Sequence, residues 1–318
     1  METRSCSNAV DLQKLEIFVC VSELGNLSKA AVALDTLPSV VSRHVAAMEQ
    51  SCGGKLFHRT GRGMTLTDLG TRLLPRAQAT LAEFRNFQAE IKSQQGVIGG
   101  DVRVGLVPSL AQAVSARLFR STRELYPAVK LILMEGVTAQ LDAWRSTDEV
   151  DITILFRAGQ SELRGEDSLG RVDTYLVGAR GDALTTGAAV RFPELAGLPL
   201  VLAPAPNGLR ADVERQAQRS GLQLSIVVET NSLAVQTELA ARGGAYTIMA
   251  GHAASQRLGA GLQAARIVDP CIVRTIAMGI ASHRPASDAT RHIARLARMR
   301  VMEAFKTMGT PEDPSPGG

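Results

Sequence analysis

The sequence has few cysteines, few aromatic residues and no long apolar run. Among 318 residues there are four cysteines and one tryptophan, and aromatic side chains make up 4%. The cysteines lie far apart, which excludes a disulfide scaffold and a zinc ribbon. No segment approaches the roughly 18 to 20 apolar residues that a membrane span needs. The first ten residues lack an apolar stretch, so we expect no secretory signal, no membrane association and a cytoplasmic location.

The familiar signatures of enzymes are also missing. The chain contains no His-Glu-x-x-His motif, no Gly-x-Ser-x-Gly elbow and no Walker lysine loop. Its five histidines do not show the spacing of metal ligands. The sequence therefore predicts no catalytic site, no metal site and no cofactor.

What is present is the composition of a globular protein with an uneven charge distribution. The chain is 45% hydrophobic and 21% charged, and its length predicts about two domains. Between Pro38 and Arg76 there are six basic and two acidic residues, a net charge of +4 that equals the formal charge of the whole chain. A basic segment attracts polyanions such as nucleic acid. The alternative is a basic surface that is merely solvated.

Three helices are predicted near the N-terminus. The first spans Leu12–Leu24 and stops at Gly25, and the second begins beside Asn26, with that residue or Ser28 as its cap. Pro38 suits the first turn of the third helix. Three apolar residues of this helix recur at i, i+4 and i+7 and predict a buried face: Val41, Val45 and Met48. Its other face carries short hydroxyls and a cation: Ser39, Ser42 and Arg43. Such side chains can approach phosphates and base edges.

A basic hairpin is predicted directly after the third helix. Residues 55–67 are typical of two short strands around Gly61-Arg62-Gly63. A glycine-flanked arginine at a hairpin tip is suited to enter a minor groove. Two helices joined by a tight turn and followed by basic residues indicate a helix-turn-helix. The alternative is that these elements form an ordinary bundle and a solvated hairpin.

Residues 12–70 resemble the winged helix-turn-helix of LysR-type transcriptional regulators. The matching positions are Ala30-Ala31, Leu34, Val41-Ser42-Arg43, Met48-Glu49, Leu56-Phe57, Arg59 and Leu66-Thr67 with Gly70. The resemblance implies a set of DNA-binding residues: Ser28, Ser39, Val40, Ser42, Arg43, His44, Arg59 and Arg62. Pro38 stands where the family usually has glutamine, a residue that could read adenine. The resemblance therefore assigns no base preference at that contact.

A long helix is predicted from Thr67, its cap, to about Gln95. Six of its residues are separated by alternating steps of three and four: Leu74, Ala77, Leu81, Phe84, Gln88 and Ile91. This spacing is typical of a two-stranded coiled coil. A homodimer formed in this way would match an inverted repeat in promoter DNA. The alternative is a helix packed on its own domain.

Beyond the glycine-rich segment 96–100, strands and helices alternate, which indicates an α/β fold with mostly parallel sheets in two lobes. The resemblance implies a periplasmic-binding-protein-like effector domain with a cleft between the lobes. The fold class predicted is thus α/β overall, with a winged helix-turn-helix (10–68), a coiled-coil linker helix (69–95) and a two-lobed α/β effector domain (99–306). Residues 307–318 are predicted to be a disordered tail.

Polar residues follow several of the predicted strands, where ligands bind in open α/β sheets. The candidate effector-binding residues are Ser109, Thr138, Asn207, Arg210, Asn231 and Ser232. Helix starts and an arginine favour an anion. The alternative for each hydroxyl or amide is a helix cap.

Four segments of this domain resemble the nitrogen-assimilation-control and cysteine-biosynthesis-like branch of the family: 105–109, 198–202, 207–210 and 265–270. The function predicted is a LysR-type regulator of transcription that binds double-stranded DNA and a small-molecule effector. The resemblance implies a homotetramer and a contact with RNA polymerase. The alternatives are a cytosolic ligand receptor without specific DNA binding and, third, an enzyme.

Overall fold

The computed structural model describes residues 10–61, 63–93, 97–158, 163, 165–255, 261–282 and 285–306. The chain divides into two compact units, residues 1–91 and 92–318. Within the described ranges, no helix is both long enough and apolar enough to cross a membrane.

The first unit contains four helices and a hairpin among its described residues. Its elements are α1 (Leu12–Leu24), α2 (Leu27–Ala33), α3 (Pro38–Cys52), β1 (Phe57–Thr60), β2 (Gly63–Leu66) and α4 (Asp68–Ser93). Asn26 is the N-cap of α2, because its side chain accepts hydrogen bonds from the N–H groups of Ser28 and Lys29. Thr67 caps α4 through a bond from the N–H of Gly70 (3.0 Å). The predicted bounds of α1 are confirmed, and the predicted hairpin is present but shorter, with Gly63 as the first residue of β2.

The core of the first unit forms where α1, α2 and α3 meet. Val41, Val45 and Met48 are buried there, as their spacing predicts. Ala30 and Ala31 pack into the same cluster, since their small side chains let α2 approach its neighbours. Burying the apolar stripe of α3 leaves its opposite face exposed.

Helix α4 shows two different surfaces. Leu74 and Ala77 belong to the core of the first unit, so this part of the predicted seam packs on its own domain. Further along, Phe87 and Ile91 are exposed to 58% and 51%. The dimeric coiled coil therefore stays a prediction, and it concerns the second half of the helix.

The second unit alternates strands and helices. Its elements are β3 (Gly99–Leu106), α5 (Pro108–Leu125), β4 (Ala128–Glu135), α6 (Thr138–Ser146), β5 (Ile152–Arg157), β6 (Asp167–Ala179), β7 (Ala189–Arg191), β8 (Pro199–Leu202), α7 (Gly208–Arg219), β9 (Ser225–Glu229), α8 (Leu233–Ala241), β10 (Thr247–Ala250), α9 (Gly251–Ser255), β11 (Leu262–Val268), β12 (Val273–Ile280) and α10 (Asp288–Lys306). A 3₁₀ turn spans Phe192–Leu195. The predicted tail, 307–318, lies outside the described residues.

The main sheet is mixed, and the expectation of mostly parallel sheets is wrong. Its strand order is β4-β3-β5-β12-β6-β11-β7, with β10 also paired to β6. Strands β3, β4 and β5 run parallel, whereas β12 is antiparallel to both β5 and β6. The sequence did not predict β6 and β11 as strands, because both contain many polar and small residues. Strand β6 pairs antiparallel with β11 and with β12, so these missed strands contribute to the mixed sheet.

Two hydrophobic cores define two lobes within this unit. The first lobe packs β3, α5, β5, β12 and α10 around residues such as Leu106, Leu118 and Ile276. The second packs β8, α7 and β11 around Phe192, Leu200 and Ile267. Strand β6 joins them, because its first half pairs with β12 and its second half with β10 and β11.

Candidate nucleic-acid interface and ligand cavity

The exposed face of α3 carries the side chains predicted to meet DNA. Ser39 and Arg43 are exposed, and Val40, Ser42 and His44 are half-buried beside them. Two further predicted residues, Ser28 at the start of α2 and Arg59 on β1, are exposed. Arg62 lies outside the described residues.

Arg59 connects the hairpin to α3. Its Nη2 donates a hydrogen bond to Ser42 Oγ at 3.3 Å. The guanidinium of one element and the hydroxyl of the other therefore form a single polar surface. Such a surface matches the combination of cation and hydroxyl that commonly contacts nucleic-acid phosphates.

Glu49 fixes the position of the hairpin relative to α3. Its buried carboxylate accepts bonds from the N–H groups of Leu56 (3.0 Å) and Phe57 (3.4 Å) and from Lys55 Nζ (2.7 Å). Phe57 also packs edge-on against Phe18 at a ring separation of 5.5 Å. Because a charged acceptor strengthens each of these bonds, α3 and β1 form one rigid block.

A glycine contact completes that block. Met64 N donates to the carbonyl of Gly25 at 2.7 Å, so β2 lies on the turn between α1 and α2. A Cβ on Gly63 would come within 2.3 Å of the same carbonyl, and the residue has φ +135°. Only glycine meets both conditions without strain.

A cavity of about 260 Å³ lies between the two lobes of the second unit. Its walls come from segments that follow β3, β4, β8 and β9, at the carboxyl ends of these strands. Five of the six predicted effector residues line it: Ser109, Thr138, Asn207, Arg210 and Asn231. Ser232 is not part of the lining, and its Oγ instead accepts a bond from the N–H of Val235 at 3.3 Å, as a helix cap.

Four helices begin at this cavity. Helices α7 and α8 are capped by the side chains of Asn207 and Ser232. Helices α5 and α6 begin after Val107 and Val137, whose side chains offer no acceptor to the first turn. The N–H groups of helix starts carry partial positive charge, so the cavity wall favours an anion.

Arg210 already has acceptors within the protein. Its Nε donates to Glu214 at 2.6 Å, and its Nη1 donates to Glu229 at 3.1 Å and to the carbonyl of Ala203 at 3.4 Å. The side chain thus bridges α7 and β9. The sequence suggested a residue open to a ligand carboxylate, whereas the geometry gives it two carboxylates of its own.

A second cavity arginine, Arg274 on β12, was missed by the sequence analysis. Its side chain is 7% exposed, and its Nε lies 2.9 Å from Asp212 Oδ2 on α7. Its guanidinium carbon lies 5.1 Å from the ring centre of Phe156. One signal could have identified it, because Arg274 is the single charged residue of an otherwise uncharged strand.

His252 lies behind the cavity wall. Burial lowers the pKa of His252 to about 4, against the opposing effect of a hydrogen bond with the backbone of Ser109. Its ring also packs against Phe156 and Phe305, at centroid separations of 5.6 Å and 4.9 Å. The neutral ring is therefore a packing element. In the part of the chain that the structure describes, no group of three or more His, Cys, Asp or Glu is placed to hold a metal ion.

Comparisons with known proteins cover both units. A family model described as "Bacterial regulatory helix-turn-helix protein, lysR family" matches residues 12–71. A model described as "LysR substrate binding domain" matches residues 95–301. The regulator BbuR of Bordetella bronchiseptica is 26% identical over 94% of this chain and 89% of its own. The nitrogen assimilation regulatory protein nac of Klebsiella aerogenes is 26% identical over 89% and 94%, respectively.

Solved structures share the fold. Full-length CbnR complexed with its target DNA aligns with a TM-score of 0.71 at 18% identity, over 93% of this chain and 100% of that one. HinK from Pseudomonas aeruginosa aligns with a TM-score of 0.56 at 19% identity, over 93% and 99%. Since the two family models match the helix-turn-helix and most of the second unit, the chain belongs to the LysR family and is a DNA-binding transcriptional regulator with an effector-binding domain.

Proposed function

We propose that this regulator reads an inverted-repeat promoter sequence through α3 and the hairpin, and that a small anion in the cavity modulates it. The observation that carries the proposal is the joined polar surface of α3 and β1, where Arg59 donates to Ser42. The proposed DNA contacts are Ser28, Ser39, Val40, Ser42, Arg43, His44, Arg59 and Arg62. Arg43 enters the major groove, and Arg62 places the hairpin in the minor groove.

The active form that we propose is a homodimer or a homotetramer. Exposed Phe87 and Ile91 on α4 support a dimer, because two apolar residues one turn apart are costly to leave in water. A two-fold dimer presents two copies of α3 to two half-sites. RNA polymerase is a further partner, reached when the bound assembly changes the path of the DNA. The domain boundaries proposed are 10–68, 69–95 and 99–306.

The effector that we propose is an anion held by Ser109, Thr138, Asn207, Arg210 and Asn231. Four helix starts support this assignment, and the described lining contains no aspartate or glutamate. To regulate, the anion must bind two conformations of the protein with different affinity. Since the target is chromosomal DNA, we place the protein in the cytoplasm. We assign it no enzymatic activity.

The test is a fluorescence-anisotropy titration of the full chain against the intergenic DNA beside its own gene. A scrambled duplex of the same composition and a series of salt concentrations are the controls. We expect the native duplex to bind tighter by a factor of roughly 10³ or more. Equal and steeply salt-dependent binding to both duplexes would instead favour a ligand receptor with a basic surface.

A further inference from the structure

The start of α3 is apolar, although it belongs to the surface proposed to contact DNA. Leu37 is the N-cap of this helix, and it is 66% exposed. Pro38 follows it in the first turn and is also exposed, and Val40 is half-buried. Ser39 is thus the single polar side chain among these four consecutive positions.

The same turn has few hydrogen-bond donors to offer. Leu37 provides no side-chain acceptor, whereas Asn26 caps the first turn of α2. Pro38 has no N–H group. The N–H groups of Val40 and Val41 already donate to the carbonyl of Leu37, at 2.9 Å and 3.2 Å. The start of α3 therefore has little capacity left to form hydrogen bonds with a base edge.

The exposure of Leu37 contrasts with another helix start of this chain. Helix α5 also begins with an apolar N-cap followed by proline, but there Val107 is 8% exposed and belongs to the core of the first lobe. A leucine that stays in water forgoes the free energy of burial. A partner that covers Leu37 would recover it.

The major groove of unmodified DNA presents one apolar group to such a surface. The base edges carry hydrogen-bond donors and acceptors, and thymine adds its C5 methyl group. In a helix-turn-helix, the N-terminal residues of the recognition helix are the ones that contact base edges. An apolar first turn at this position therefore matches thymine and leaves the polar edges of the other bases without partners.

We propose that the first turn of α3 recognises a thymine by its C5 methyl group, and that Leu37 and Val40 contact this methyl. The proposal rests on the placement of α3 in the major groove proposed above and specifies which base its first turn recognises. Leu37 and Val40 are three residues apart, so they lie on one side of the helix. Ser42 lies on the other side, where Arg59 of the hairpin donates to its hydroxyl.

The position of the thymine follows from the spacing of Val40 and Arg43. These residues are three apart, which is about 4.5 Å along a helix axis. Successive bases of one DNA strand are about 3.4 Å apart. We therefore expect the thymine to lie about one or two base pairs from the base that Arg43 contacts.

The experiment is an anisotropy titration of the full chain against its native duplex with single thymines replaced by deoxyuridine. This replacement removes the methyl group and keeps every hydrogen-bonding group of the base pair. Each position is replaced in both half-sites together. We expect one position at which the replacement weakens binding about 15-fold, or about 4-fold for each methyl, the worth of one buried methylene group.

Variants of the first turn assign the effect to side chains. Leu37→Ser and Val40→Ala should each reduce the discrimination between thymine and deoxyuridine, and the double variant should bind both duplexes equally. Serine is a preferred N-cap, so Leu37→Ser removes the apolar contact without weakening the start of the helix. Val32→Ala is the matched control, because it removes a side chain that is 83% exposed on α2, and it should keep the full discrimination.

Three results would overturn the proposal. These are specific binding in which no deoxyuridine position matters, unchanged discrimination by a folded double variant, and an equal loss of discrimination in Val32→Ala. Thermal unfolding of each variant without DNA reports on its folding. A change in the sedimentation of the free Leu37→Ser variant would assign Leu37 to an interface between copies of the chain and would also reject the proposal.

The same titration separates this proposal from the function beneath it. Equal binding of the native and scrambled duplexes rejects the proposed recognition of a promoter sequence, and the thymine contact with it. Specific binding without discrimination between thymine and deoxyuridine rejects the thymine contact alone.

Discussion

Two arginines of the first unit and two of the second are held in opposite ways. In the first unit, Arg43 and Arg59 are exposed, and within the ranges that the structure describes no carboxylate pairs with either. In the second unit, Arg157 and Arg274 are buried, and each is paired with carboxylates. The two named arginines of the first unit are open to solvent, whereas the two named arginines of the second are enclosed by the protein.

For Arg274, which lines the cavity, this difference matches the size of the anion that each unit is proposed to bind. A DNA duplex is a long polyanion, and exposed cations gain affinity by releasing its counterions. A small anion offers few charges, so a buried cation must first be made stable without it, by a carboxylate of the protein. The first kind of binding depends steeply on salt, and the second is screened much less.

Breaking the buried ion pairs of Arg157 should have the largest effect, which is on the free energy of unfolding. Arg157 donates from Nε to Glu166 (2.9 Å) and from Nη1 to Asp142 (2.9 Å), and the hydrogen bonds to Glu166 raise the pKa of Arg157 above its usual range. Arg145 also pairs with Glu166 at 3.0 Å. Glu166→Ala leaves two cations with one carboxylate, and we expect it to lower the free energy of unfolding by about 3–5 kcal/mol.

Urea unfolding of the full chain measures this effect. Arg242→Met breaks an exposed pair on the same unit and should cost less than about 1 kcal/mol. If Glu166→Ala costs no more than this control, the buried cluster does not stabilise the fold and the contrast between the units fails.

A buried neutral base provides the next test. The pKa of His252 is about 4 in the folded chain because of burial, against about 6.5 in an unfolded one. The unfolded state therefore binds the extra proton between these values, and stability falls as the pH drops from about 6.5 to 4. The loss is about 3 kcal/mol for this group. His252→Leu should flatten that part of the pH profile in urea unfolding, and an unchanged slope would contradict the assignment.

Removing an exposed arginine should act on DNA binding alone. Arg43→Ala is expected to lower the affinity for the specific duplex about 10- to 100-fold, the worth of about 1–3 kcal/mol for a base-edge contact. Because Arg43 has no role in the core, dimer formation measured by sedimentation should not change. Loss of the dimer would mean that Arg43 is structural. The contrast between exposed and buried arginines would then have to be tested at another exposed residue.

The sequence predicted the parts of the molecule that are determined locally. Asn26, Pro38 and Thr67 each act within a few residues of themselves, and the helix boundaries beside them were found. The apolar stripe of α3 was found for the same reason. Local capping and periodicity need no knowledge of distant partners.

The missed parts depend on contacts between distant segments. The polar character of β6 hides a strand that is held by β12 and β11 on either side. Arg274 is marked in the sequence as the single charge of β12, but its place in the cavity depends on Asp212 and Phe156, which are distant along the chain. Ser232 shows the local case, since its side chain caps α8, which is the alternative that the sequence also allowed.

The smallest expected effect separates the two kinds of cation most directly. Arg59 is exposed and tied to Ser42, so we expect it to meet a phosphate rather than a base. Arg59→Ala should weaken binding to specific and scrambled duplexes by the same few-fold factor. It should also reduce the slope of log K against log salt by about 0.9, the value for one phosphate contact.

Arg274→Met is the matched comparison, because it removes the same charge from the buried environment. Its slope for DNA binding should equal that of the wild type, since a cation enclosed by Asp212 and Phe156 releases no counterion from a duplex. Anisotropy titrations at four or more salt concentrations give both slopes. If the two variants change the slope equally, the charge of the cavity acts on DNA through the long-range field of the protein, and exposure is not what distinguishes the two units.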